Sequence, residues 1–65
     1  MRKSKEIEIK ERTESWLNER YRIMNMEEPK RQADVSYYNG AIMAVEMLGY
    51  EWRRDDEGKH TINRY

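Results

Sequence analysis

The chain contains no cysteine, a single proline and only three glycines, and its 13 basic residues are matched by 13 acidic ones. Without cysteine, neither a disulfide staple nor a thiolate metal site is available. The absence also fits a reducing, cytoplasmic setting. Zero net charge argues against a general nucleic-acid coat and against an acidic DNA mimic, while leaving room for local patches. No apolar run approaches the roughly 18 residues of a membrane span. The opening Met1-Arg2-Lys3-Ser4-Lys5-Glu6 has no apolar stretch behind its charges, unlike a secretory signal. A soluble cytoplasmic protein with no membrane partner is expected. There is no glycine-rich phosphate loop and no zinc-ligand spacing.

What is present is a 65-residue chain of 8.0 kDa, enough for one domain spanning residues 1–65. A domain this short buries only about 60% of its unfolded surface, so a monomer has a small stability margin. Charge is distributed unevenly. Residues 1–32 hold nine basic and seven acidic groups, whereas residues 33–49 hold only Asp34 and Glu46. The middle segment carries 11 of the 24 hydrophobic residues, which marks it as the core-forming element. The pattern predicts an α+β fold, mostly α: an antiparallel helical hairpin followed by a C-terminal β-hairpin.

The first helix is expected over about residues 4–26, with Ser4 as its cap. Ile9, Trp16, Leu17, Tyr21, Ile23 and Met24 form one broad apolar face, with Thr13 inside it; Ile7 and Met26 fall off it. Glu6–Lys10 and Glu8–Arg12 are i,i+4 pairs in the favourable order. Pro29 suits a first helical position, so the second helix is expected over about 30–48, with Asp34 as a competing cap. A short link makes the two helices antiparallel neighbours. Gly49 marks the stop, in a left-handed position.

After Gly49 the period changes from helical to alternating. Tyr50, Trp52 and Arg54 alternate with Glu51, Arg53 and Asp55, and a similar alternation runs over residues 60–65. Asp55-Asp56-Glu57-Gly58 between them fits a type I turn with Gly58 left-handed. That turn sets Trp52 opposite Ile62 in a hairpin over about 50–65. An isolated two-stranded hairpin is marginal in water, so Tyr50, Trp52 and Ile62 must lie on the helices.

The second helix is apolar on most sides. Tyr38, Ala41, Ile42, Val45 and Leu48 share one face, Tyr37, Ala44 and Met47 widen it, and Met43 lies nearly opposite. One helix and one small hairpin do not easily cover such a surface. Two readings follow: both neighbours cover it internally, or part of it serves another copy or a partner. Gly40 sits mid-helix at a cost of about 1 kcal/mol relative to alanine. Either the first helix packs closely there or a second copy crosses there. Gly40, Met43 and Met47 are the candidate self-association face, in a dimer or higher homo-oligomer.

No constellation points to catalysis. Ser4, Ser15, Ser36, Thr13 and Thr61 sit in no hydrolase motif, and the one histidine, His60, has no triad logic around it and reads as a surface or edge-strand residue. Asp55-Asp56-Glu57 is too short for a calcium loop, which spreads its ligands over about 12 residues. No enzyme activity, cofactor or metal is expected. Trp52, Arg53, Arg54, Lys59 and His60 combine the residue types enriched in protein hot spots, and they are the candidate partner-binding set. With Arg64, Tyr65 and the basic Arg2, Lys3 and Lys5, the same residues offer an alternative: a small nucleic-acid-binding regulator that stacks bases and contacts phosphate.

The run from Tyr37 to Ile62 contains a Tyr37-Tyr38-Asn39-Gly40 helix start, a Leu48-Gly49-Tyr50 stop and a Gly58-Lys59-His60-Thr61-Ile62 final strand. It resembles small accessory proteins encoded by phages and prophages of Gram-positive bacteria. The resemblance implies a role in the host bacterial cytoplasm: binding one host or defence protein, such as a polymerase or repressor component or a nuclease, and inhibiting or redirecting it. It carries over no functional residues.

Overall fold

A computed structural model describes residues 4–64. Two helices, α1 (Lys5–Met24) and α2 (Gln32–Met47), precede two strands, β1 (Tyr50–Arg54) and β2 (His60–Arg64). The fold is α+β and mostly α, a helical hairpin followed by a β-hairpin. None of the described helices is long and apolar enough to cross a membrane.

Local chemistry sets most boundaries. The Ser4 side chain accepts from the Ile7 N–H at 3.2 Å and starts α1. Asn25 closes it, its side-chain amide donating to the Tyr21 carbonyl at 2.8 Å. The helix therefore stops short of Met26. The second helix begins later than expected. Pro29 lies in the connection, after a cis peptide, and Arg31 is the N-cap without a side-chain cap bond. Asp34 does not cap either: its own N–H already bonds Arg31 O at 3.1 Å, inside the first turn. Its carboxylate instead faces Arg20 of α1 at 3.6 Å.

Gly49 ends α2 as expected, at φ +91°, with its N–H on Glu46 O at 3.0 Å. The hairpin register also matches, with Trp52 opposite Ile62 and Arg54 opposite His60. Asp55 builds the turn: its Oδ1 accepts from the N–H groups of both Glu57 and Lys59 at 2.9 Å. Gly58 is required twice over. Its φ is +86°, and a Cβ there would stand 2.8 Å from the Tyr21 ring.

The core is Leu17, Tyr38, Ala41, Ile42, Val45 and Ile62, with Tyr21, Met24, Tyr50 and Trp52 packed around it. The inner face of α2 is thus the one its periodicity marked, save for Leu48. As the C-cap residue, Leu48 has left the helical path and is 74% exposed. The apolar stripe of α1 is only partly used. Its 20 residues extend about 30 Å, more than α2 and the hairpin can cover, so Ile9 stays exposed. Trp16 stays 38% exposed, with Tyr37 packed against it at 6.2 Å between ring centroids.

Candidate interaction surface

The hairpin's inner and outer faces divide the five residues nominated for partner binding. Trp52 and His60 point into the protein, Arg53 points out, and Lys59 sits exposed beside the turn. Arg54 is exposed overall, but its guanidinium lies 4.6 Å from the Tyr21 ring centre and donates to the Tyr38 hydroxyl at 3.0 Å. Trp52 is half-buried, stacks on the His60 ring and donates from Nε1 to Glu46 Oε2 at 2.9 Å. The five do not make one surface. Arg2, Lys3 and Tyr65 of the nucleic-acid reading lie outside the described residues.

Of the expected surface or edge-strand histidine, only the edge-strand part holds: His60 lies in β2 of the two-stranded sheet, but it is 1% exposed. It lies inward because it shares strand parity with Ile62, and neighbouring elements satisfy its polar atoms. Asn18 Oδ1 of α1 accepts from the His60 backbone N–H at 2.6 Å and lies 2.9 Å from Nδ1. An amide oxygen only accepts, so Nδ1 carries the proton. Nε2 then accepts from the Tyr38 hydroxyl at 2.6 Å. A directed chain results: Arg54 donates to Tyr38, Tyr38 to His60, and His60 to Asn18. One turn earlier, Glu14 accepts from the Ile62 N–H at 2.9 Å while holding Lys10 at 2.7 Å. Lys10 therefore pairs with Glu14, in place of the Glu6 that its spacing suggested.

This chain needs a neutral imidazole. Burial pushes the His60 pKa below its ordinary value, and the Arg54 cation acts in the same direction. Hydrogen bonding at the Gly58 backbone and the Asp55 charge oppose these only in part. A proton on Nε2 would leave the Tyr38 O–H, which donates to Nε2, without its acceptor. Because the folded-state pKa is lowered, His60 stabilises the fold fully above the unfolded value of about 6.5, and that stability is lost as pH falls through the folded value. The melting temperature is expected to drop between pH 7.5 and 5.5, above the range where carboxylates titrate. His60→Gln should flatten that slope; equal slopes in both proteins would remove His60 as the cause. Arg54 is shifted upward, chiefly by its hydrogen bond to Tyr38.

The outer face of α2 remains. Met43 is 60% and Met47 84% exposed, one helical turn apart, with Leu48 beside them. Gly40 lies one turn before Met43. A Cβ on Gly40 would meet nothing within 4 Å, so no close approach by α1 explains the glycine. Of the two readings of this helix, full internal coverage is excluded. Sequence reasoning missed Asn18 and Glu14, whose signal was faint: two polar residues at i,i+4 spacing beside Leu17 and Tyr21. No protein-family model matches the chain, and neither a curated protein nor a solved structure does.

Proposed function

We propose that this chain is a small protein–protein interaction module that binds a bacterial protein through the outer face of α2. It acts by occluding or remodelling its target and carries no chemistry of its own. The observation that carries this reading is the exposed strip of Gly40, Met43 and Met47 on α2, with exposed Leu48 following it at the helix end. Exposed apolar side chains at one helical spacing form the kind of patch that monomeric proteins rarely leave open without use. Methionine also adapts its shape to a partner surface. The resemblance of residues 37–62 to small phage and prophage proteins supports a phage-derived inhibitor or modulator of a host or defence protein, working in the host cytoplasm.

The nominated hairpin residues take a supporting role in this reading. Trp52 and His60 fasten the hairpin to the helices and thereby hold α2 in place, while Arg53 and Lys59 are exposed at the surface. The charges on the outer hairpin face alternate in sign, with Glu51 two residues from Arg53. That pattern suits a nucleic-acid backbone poorly.

The double variant Met43→Glu/Met47→Glu separates this face from the core. Its melting temperature should stay within a few degrees of the parent, because surface substitutions usually change stability by about 0.5 kcal/mol or less. Capture of a discrete protein from a bacterial lysate should be lost. Met26→Glu, at another exposed methionine, should keep it. Equal capture by all three proteins would take α2 out of the function.

A further inference from the structure

The two edges of the β-hairpin are treated differently. In an antiparallel pair, residues alternate between exchanging hydrogen bonds with the partner strand and pointing their backbone groups away from it. Asp55 N–H bonds Lys59 O at 3.0 Å, which fixes the phase. The outward groups are therefore those of His60 and Ile62 on β2, and of Tyr50, Trp52 and Arg54 on β1. Helix α1 closes the β2 edge: Asn18 takes the His60 N–H and Glu14 the Ile62 N–H. Among the described residues, no side chain does the same for Trp52 or Arg54. An unpaired strand edge is a template for another strand.

The sequence of that edge is self-complementary. We propose that β1 is a self-association edge, adding antiparallel to β1 of a second copy with Trp52 opposite Trp52 of that copy. A two-fold axis at Trp52 pairs the outward groups of Tyr50, Trp52 and Arg54 with one another, which completes the ladder. It also sets Glu51 of each chain opposite Arg53 of the other, on the solvent face. Both residues are exposed, and neither has an ion-pair partner among the described residues. On the inner face, Tyr50 stands opposite Arg54 of the second copy.

The charge pattern selects this register over its neighbours. Shifting the axis to residue 53 sets Arg53 against Arg53 and Glu51 against Asp55. Shifting it to residue 51 sets Glu51 against Glu51. Like charges directly opposite are destabilising and opposite charges are favourable. Of these three registers, only the Trp52-centred one sets opposite charges together on the solvent face. The result is a four-stranded sheet with the two β2 strands outermost, each already closed by its own α1. The edge uses Glu51, Trp52 and Arg53, none of them on the outer face of α2, so substitutions at one surface leave the residues of the other unchanged. The two proposals fail independently.

Light scattering over a wide concentration range tests it. The parent protein should rise from 8.0 kDa toward twice that mass. Glu51→Arg alone and Arg53→Glu alone should each stay monomeric, since each sets like charges opposite one another. An equimolar mixture of the two should regain the doubled mass, because the reversed pairs match across chains. Circular dichroism should show both variants folded, as both positions are exposed. The proposal is overturned if the parent stays monomeric throughout, if either variant alone associates like the parent, or if mixing restores nothing. The register has its own check. A mixture of Glu51→Cys and Arg53→Cys proteins should form a disulfide-linked pair on oxidation, and Glu51→Cys alone should not. The reverse result would discard the Trp52-centred register.

Discussion

Asn18→Ala is expected to remove a large part of the fold's stability. A chain of this length has a stability of about 3–10 kcal/mol. The Asn18 carbonyl oxygen is the acceptor for both the backbone N–H and the Nδ1–H of His60, a residue with almost no exposure. Leaving a buried donor unpaired costs about 1–3 kcal/mol, and alanine strands two of them, for a loss of about 2–6 kcal/mol. Urea denaturation followed by circular dichroism gives the number. Asn18→Asp is the informative companion. Its carboxylate can accept both bonds, so most of the stability should survive. A nearby negative charge also favours protonated His60, so the acid-induced loss of stability should shrink. If alanine and aspartate are equally tolerated, the link between α1 and β2 does not depend on this amide.

Leu17→Ala should be of similar severity for a different reason. Leu17 is fully buried in a cluster that also contains Ile62 of β2 and Tyr38 and Val45 of α2, so one side chain belongs to the core that joins three elements. Truncating a buried leucine costs about 2–5 kcal/mol, depending on how far the surroundings collapse into the cavity. Among the described residues, a core of six buried apolar residues has few others to take up the slack. Met47→Ala removes comparable volume from an exposed position and should change stability by about 0.5 kcal/mol or less. Chemical denaturation of the three proteins side by side separates core from surface. A Leu17→Ala protein as stable as Met47→Ala would contradict the packing described above.

Some of this was readable in the sequence for identifiable reasons. The hairpin register follows from one tight turn, because Asp55 and Gly58 fix the loop length and strand parity then fixes every pair. The inner face of α2 follows from periodicity, because Tyr38, Ala41, Ile42 and Val45 recur at helical spacing. The start of α2 was less legible. Proline is compatible with both a first helical position and a preceding loop, and residues 29–31 supply no capping side chain. The exposed ends of the α1 stripe were also hidden, since periodicity shows which face is apolar but not how much of it a neighbour covers.

The polar attachment of the hairpin was the least legible part. Asn18 and His60 are 42 positions apart, and Glu14 and Ile62 are 48 apart, so no local pattern joins them. A lone histidine with no triad logic around it reads as a surface or edge-strand residue. Yet His60 shares strand parity with Ile62, and parity alone aims it at the helices. That inward direction moved His60 and Trp52 from the candidate partner surface into the structural framework. It left the outer face of α2 and the open edge of β1 among the surfaces that the described residues do not cover internally.

The most direct test of the interaction-module reading places a photo-reactive amino acid at position 47, and separately at position 26, in protein expressed in a Gram-positive host. On illumination, position 47 should give a discrete adduct heavier than two copies of this chain, and position 26 should give none. No adduct from position 47, equal adducts from both positions, or an adduct of two chains alone would contradict a target-binding role for α2.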